Sequence, residues 1–330
     1  MRDFDYYRPG SAKEASRLLA GTSGTSAKAG GTDLLPMLKA GVAEVRGVVN
    51  LLGVEELEGI TVSGEEISIG ATTTIASLAE NKELRRAAPG VAKAARLTAT
   101  PLIRNRATLG GNLAQRPRCW YFRNQEYPCL KKGGATCYAR EGENKYHAIF
   151  ENFMCCMVHP SNLAPALWTH EARVHVIGPR GERSIPMNRF FARPGEKPDS
   201  EVRLNPGEVI TRVTLKPRGP RSGSSYVEVR EKQSFDWALV SAACHLTLDG
   251  GGRVERCAVV VSSVAPVPLR RWEAEHVISG RKITEESALE AGEAALEGAS
   301  PLRDNAYKLR MLKACVADAI LEAGRRAEEK

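Results

Sequence analysis

Five of the chain's eight cysteines fall within a short stretch: Cys119, Cys129, Cys137, Cys155 and Cys156. Four thiolates gathered there would be a donor set for a soft metal centre, either one zinc ion or an iron–sulfur cluster. The spacing lacks the close CxxC pairs of most zinc sites, yet by itself it does not separate the two metals. Disulfides are the third use of such residues. The first residues carry no basic and apolar export signal, which favours free thiols. Cys244, Cys257 and Cys315 sit in apolar or periodic surroundings and read as buried structural thiols. His147 reads as a hydrogen-bonding loop residue rather than a ligand, and Trp120, Tyr121 and Phe122 as packing around the cysteines.

Two glycine pairs offer a second chemistry. Gly30-Gly31 precedes Thr32 and Asp33, and Gly110-Gly111 lies between Thr108 and Asn112. Paired glycines let a backbone approach a ligand closely and adopt positive φ. Exposed amides then face phosphate oxygens, with Thr32 and Thr108 adding hydroxyls. Either pair alone reads equally well as a tight turn, whereas two together suit a dinucleotide. Neither contains GxGxxG or GxxxxGK followed by Ser or Thr, so a Rossmann site and a P-loop are disfavoured. No acid–base pair or nucleophilic triad stands out.

The elements that must position these groups give an α+β reading. Residues 11–19 predict a helix capped by Ser11, residues 27–29 and 45–51 two strands, and 34–39 a helix opening directly after the first glycine pair. Residues 60–62 and 66–69 alternate like a hairpin, and 74–80, 84–88 and 91–97 carry helical signals. Residues 98–112 suit neither helix nor strand and predict a specific loop, and 113–158 form a weakly periodic, cysteine-rich insertion. A helix is expected at 163–169 and strands at 174–177, 209–215, 226–230, 242–248 and 257–261. Helices at 285–296 and 307–324 follow. Three units result: 1–55, 56–170 with its insertion, and a C-terminal α+β domain over 171–330.

Composition narrows the function classes. An apolar fraction of 42% with 26% charged residues is that of a globular chain, not a disordered one. No run of apolar residues is long enough for a membrane helix. The formal charge of +8 is spread among acidic residues, and the one dense basic stretch, Arg116 to Arg140, coincides with the cysteines. Nucleic-acid binding is therefore not expected; the positive field better offsets phosphates or an anionic cluster. A cytoplasmic location is expected, or a periplasmic one if a signal-bearing partner exports the complex.

The segments Ala29-Gly30-Gly31-Thr32-Asp33-Leu34 and Ile103-Arg104-Asn105-Arg106-Ala107-Thr108-Leu109-Gly110-Gly111-Asn112 resemble the paired FAD motifs of the molybdenum hydroxylase flavoprotein subunits. The likeness continues through His159-Pro160-Ser161-Asn162-Leu163-Ala164-Pro165-Ala166-Leu167 and Asp236-Trp237-Ala238-Leu239-Val240-Ser241, covering nearly the whole chain. It implies a two-part FAD-binding domain followed by a domain of the CO-dehydrogenase flavoprotein type. Lys28 to Leu34, with Thr108, Gly110, Gly111 and Asn112, would cradle the FAD pyrophosphate and ribose, and Ile103 would lie near the isoalloxazine. Asn162 stands where the family usually has an aspartate: either an FAD contact or a helix-start residue. Arg104, Arg106 and Arg230 would stabilise phosphate or reduced-flavin charge, or pair structurally.

The insertion resembles the [4Fe–4S] loops of the 4-hydroxybenzoyl-CoA reductase and periplasmic aldehyde oxidoreductase flavoproteins. That likeness implies Cys119, Cys129, Cys137 and Cys155 as ligands, with Cys156 one residue out of register. The implied partners are a molybdopterin-containing large subunit, a small subunit with two [2Fe–2S] clusters, and a carrier such as a ferredoxin, a quinone or NAD. The implied substrates are an aldehyde, an aromatic acyl-CoA or an N-heterocycle. Two other readings remain: a stand-alone flavin and iron–sulfur oxidoreductase, and a zinc-stabilised nucleotide-binding scaffold.

Overall fold

The computed structural model describes residues 2–232 and 235–329. The chain opens on three short parallel strands, β1 (Asp5–Tyr7), β2 (Thr25–Lys28) and β3 (Gly47–Asn50), ordered β1-β3-β2. Helix Ala12–Gly21 links β1 to β2, and Ser11 caps it by accepting from the Glu14 amide at 3.1 Å. Ala12, Ala15, Val49, Leu51, Val54 and Leu57 form a small core under this layer, completed by Val209 from far along the chain. Helix Leu34–Lys39 leaves β2 immediately after the glycine pair, so the pair sits at a strand-to-helix turn.

A second, antiparallel sheet holds β4 (Ile60–Val62), β5 (Ile67–Gly70), β6 (Arg173–Gly178), β7 (Gly181–Pro186) and β8 (Val209–Leu215), in the order β4-β5-β8-β6-β7. Between β5 and β6 run helices Ile75–Glu80, Lys82–Ala87, Pro89–Leu97 and Leu163–Thr169. The third sheet is antiparallel, built from β9 (Ser222–Val229), β10 (Val240–Leu248), β11 (Val254–Ser262) and β12 (Leu269–Arg270), ordered β12-β11-β10-β9. Helix Tyr307–Glu328 covers β9 and β10, and Leu163–Thr169 also packs on β10. With both faces covered, β10 is buried at nearly every position and uses small residues. One continuous core therefore joins the second and third sheets.

Two expectations change. Residues 98–112 are not a plain loop: they contain the short helices Pro101–Arg104 and Leu109–Leu113. Thr100 and Thr108 cap them, accepting from the amides of Ile103 and Gly111. A run of Thr, Pro and Gly hides such turns because the caps, not the propensities, hold them. The C-terminal unit was expected from residue 171. Instead β6 and β8 pair with each other, and β8 pairs with β5, so residues 173–215 complete the second sheet. The long gap between β5 and β6 concealed that pairing.

The seam between the second and third sheets carries two stacked imidazoles. His170 and His245 lie 4.2 Å apart at 16°. Each faces a carbonyl through Nδ1: Lys216 O for His170 at 2.8 Å, and Thr169 O for His245 at 3.2 Å. Burial, then the neighbouring His245, pushes the His170 pKa down to about 3. The unfolded chain binds protons near the ordinary histidine value of about 6.5, so folding loses stability as pH falls below it. For His170 alone the loss reaches about 2 kcal/mol by pH 5. Urea midpoints measured from pH 7.5 to pH 5 should fall steeply in the wild type and less steeply in His170→Gln. Equal slopes would exclude the pair as an acid-sensitive point.

Candidate functional site

The first glycine loop is shaped by its contact with the second motif. A Cβ on Gly30 would sit 1.7 Å from the Arg106 carbonyl oxygen, so only glycine lets the two segments touch. Gly31 has φ +76°, the left-handed region, which turns the chain from β2 into helix Leu34–Lys39. Among the described residues, the amides of Gly30, Gly31, Thr32 and Asp33 donate to no protein acceptor. Four successive free N–H groups at a strand-to-helix turn form an anion nest. Among the described residues Lys28 Nζ reaches only Asn50 Oδ1, at 3.1 Å, and its pKa is lowered by burial and then by Arg106. Two uncompensated cations beside free amides fit a diphosphate.

The second glycine pair behaves differently from expectation. Gly110 N donates to Ala71 O at 2.8 Å, Gly111 N to Thr108 Oγ1 at 3.3 Å, and Asn112 N to Thr108 O at 2.8 Å. Its amides are spent on its own helical turn, and Thr108 is buried as that turn's cap. Asn112 Oδ1 accepts from Ser161 Oγ at 2.6 Å, tying the turn to the start of helix Leu163–Thr169. Ile103 stands 42% exposed on the helical turn whose carbonyl receives the amides of Arg106 and Ala107. Arg104 bonds the carbonyls of Thr98 and Ala99 and is a local staple. Asn162 donates to Tyr226 Oη at 3.0 Å and Glu228 Oε2 at 2.7 Å, with no capping bond. It therefore bridges to β9, in a network that continues through Glu228 and Arg230 to Leu97 O.

The insertion is locked onto the first loop. Asp33 accepts from Arg116 N at 2.8 Å, Arg118 Nη1 at 2.8 Å and Arg123 Nη2 at 2.6 Å. Its carboxylate is committed there and gives helix Leu34–Lys39 no cap. Met37 of that helix packs with Phe122 and Cys129 in a separate small core. Glu201, which the sequence did not single out, is buried between Lys131 at 2.8 Å and Arg116 at 2.6 Å. Lys132 and Arg140 bond backbone carbonyls. The basic stretch thus spends its charges on holding the insertion together.

Cys119, Cys129, Cys137 and Cys155 line one small pocket with Phe122 and Met157; the open space among them is ≈ 10 Å³. Among the described residues no group of three or more His, Cys, Asp or Glu is arranged to hold a metal ion. Amides point at the sulfurs: Phe122 and Tyr121 at Cys119, Ala139 and Cys156 at Cys137, and Met157 at Cys155. Hydrogen bonds from the Cys155 thiol and the Cys156 amide favour Cys137 as thiolate, and burial pushes Cys119 up to about 11. Cys156 turns its thiol to Asn152 O at 3.4 Å and is fully buried. His147, expected at the surface or in a loop bond, is buried with Nε2 3.2 Å from Cys119 Sγ. On the outer side of Cys119 a pocket of ≈ 320 Å³ opens between Trp120, Tyr146, Arg118 and Trp237.

Because Gly30 has no room for a side chain, Gly30→Ala should separate the loops and lower the flavin-to-protein absorbance ratio several-fold. Gly21→Ala, whose Cβ meets nothing within 4 Å, serves as control and should leave the ratio unchanged. Equal flavin in all three proteins would remove the nest from the site.

Comparison with known proteins places this geometry. Residues 2–217 match the FAD binding domain in molybdopterin dehydrogenase, and residues 224–323 the CO dehydrogenase flavoprotein C-terminal domain. The chain is 34% identical to the aldehyde oxidoreductase FAD-binding subunit PaoB of Escherichia coli, over 98% of this chain and 99% of that one. It is 30% identical to the carbon monoxide dehydrogenase medium chain of Hydrogenophaga pseudoflava, over 93% and 92% respectively. The solved carbon monoxide dehydrogenase of Hydrogenophaga pseudoflava that lacks the Mo-pyranopterin moiety superposes with a TM-score of 0.79 at 26% identity, over 98% of both chains. The chain belongs to the FAD-binding medium subunits of the molybdenum hydroxylase-type oxidoreductases, whose molybdenum site lies in another subunit.

Proposed function

We propose that this chain is the FAD- and [4Fe–4S]-binding electron-transfer subunit of a molybdenum-dependent oxidoreductase. An aldehyde is the substrate class favoured by its likeness to an aldehyde oxidoreductase subunit; aromatic acyl-CoA and N-heterocycle substrates are the alternatives. Its partners would be a molybdopterin-containing large subunit and a small subunit with two [2Fe–2S] clusters. Ferredoxin, quinone or NAD would serve as the external carrier. The observation that carries the iron–sulfur part is the meeting of Cys119, Cys129, Cys137 and Cys155 in one pocket, where the sulfurs of Cys119, Cys137 and Cys155 face backbone amides. Amide hydrogen bonds to sulfur are what an anionic cluster requires of its loop.

When bound, FAD supplies two-electron chemistry and the cluster one-electron chemistry. The residues do the rest. Lys28, Arg106 and the amides of Gly30 to Asp33 would neutralise and orient the diphosphate. Ile103 would offer an apolar edge to the ring system, while Thr108, Gly110, Gly111 and Asn112 would hold the second wall in shape. Asn162 would order the seam with β9. Phe122 would keep water from the thiolates, and Asp33 would fix the distance between the two sites. The loop would widen to admit the inorganic core.

Cys119→Ser and Cys155→Ser should each abolish the [4Fe–4S] EPR signal of the reduced protein while FAD is retained. Cys156→Ser should keep the signal. Loss with Cys156→Ser but not Cys155→Ser would reverse the ligand register. A colourless wild type with one zinc and no flavin would favour the scaffold reading. Substrate turnover without other subunits would favour the stand-alone enzyme.

A further inference from the structure

We infer that His147 is a positioning residue for the iron–sulfur site, donating an Nε2–H hydrogen bond to the Cys119 thiolate and raising the reduction potential of the cluster. The inference rests on the four-cysteine reading above. Its basis is the 3.2 Å contact between Nε2 and Sγ, made by a ring that is 3% exposed. The ring has little freedom to turn away. Trp120, next to the ligand, meets it edge-on at 5.2 Å and 75°, and Tyr121 lies at 6.1 Å on another side.

The backbone around His147 is held from the far end of the chain. Asn305 Nδ2 donates to the carbonyls of His147 and Ala148, at 3.1 and 3.2 Å. Lys308, wholly buried, donates from Nζ to Tyr146 O and Ser263 O, both at 3.0 Å. Asn144 Oδ1 accepts from the Asp304 amide at 2.9 Å, while Asn144 O receives His147 N at 3.0 Å. The start of helix Tyr307–Glu328 and the residues before it thus grip residues 144–148, four of them through main-chain carbonyls. A loop needed only for packing does not require a buried lysine and a buried asparagine to fix its carbonyls.

The tautomer follows from what the two nitrogens face. Nδ1 is buried with no hydrogen bond of good geometry among the described residues, and the Asn144 carbonyl, which faces the ring, is already taken by His147 N. A proton there would be a buried donor left unmade, and the Nε2 lone pair would face the electron-rich sulfur. With the proton on Nε2, the bond to sulfur forms and only a lone pair stays unmatched. A metal-bound thiolate has no proton to give, so this is the favourable arrangement once Cys119 is a ligand. A donor at sulfur stabilises the reduced cluster more than the oxidised one, because reduction adds negative charge.

The test is an EPR-monitored redox titration of the anaerobically purified holoprotein, with iron and FAD quantified in each sample. In His147→Leu the cluster and FAD should be retained and the midpoint potential should move lower. In His147→Gln, which keeps an N–H donor, the potential should return towards wild type. An unchanged potential in His147→Leu with the cluster present would overturn the inference. Loss of iron from both variants would also overturn it, making His147 a ligand or a structural residue. A wild type without iron fails the four-cysteine reading instead, and the two failures are thereby told apart.

Discussion

The contact of Gly30 with the Arg106 carbonyl is the constraint on which the rest of the molecule depends. It brings together a strand-to-helix turn of the first parallel layer and a segment from between the second sheet's strands. Neither segment alone makes a dinucleotide site. The first supplies free amides and the second supplies a cation, and the close approach sets their spacing. Any side chain at Gly30 would push the first glycine loop away from the Arg106 carbonyl.

The same turn carries the insertion. Asp33 takes three donors from residues 116–123, and its helix contributes Met37 to the small core that includes Phe122 and Cys129. The cysteine pocket is consequently built onto the first glycine loop rather than beside it. Glu201 anchors the outer edge by pairing with Lys131 and Arg116 in a buried setting, where breaking one partner typically costs about 3–5 kcal/mol. From the other side, residues 300–308 bond residues 142–152 repeatedly. The insertion therefore draws on all three units for its shape.

Much of this was legible in the sequence. Helix Leu34–Lys39, the hairpin of β4 and β5, and helix Leu163–Thr169 follow from local patterns and appear where those patterns end. Ser11 announced its helix because a cap and its partner lie three residues apart. The two glycine loops and the insertion stood out through glycine pairing and cysteine density, and only the family resemblance tied the loops to FAD. What escaped was long-range. The pairing of β5 with β8 spans a gap that no periodicity can read. The free amides of one glycine loop and the occupied amides of the other depend on Ala71, a distant neighbour of Gly110. Glu201 and Asn305 lie in polar stretches without pattern, and only the fold gives them partners. Asn162, read as a cofactor contact or a helix start, reaches Tyr226 and Glu228 through a domain seam that one sequence does not reveal.

On the proposed function, one chain carries a flavin nest and an iron–sulfur pocket held together through Asp33. The most direct measurement is the flavin, iron and zinc content of the wild-type chain, isolated under exclusion of oxygen together with whatever subunits accompany it and then separated from them. One FAD and about four irons per chain, without zinc, are expected. FAD with no iron, or a single zinc in its place, would contradict the proposed function.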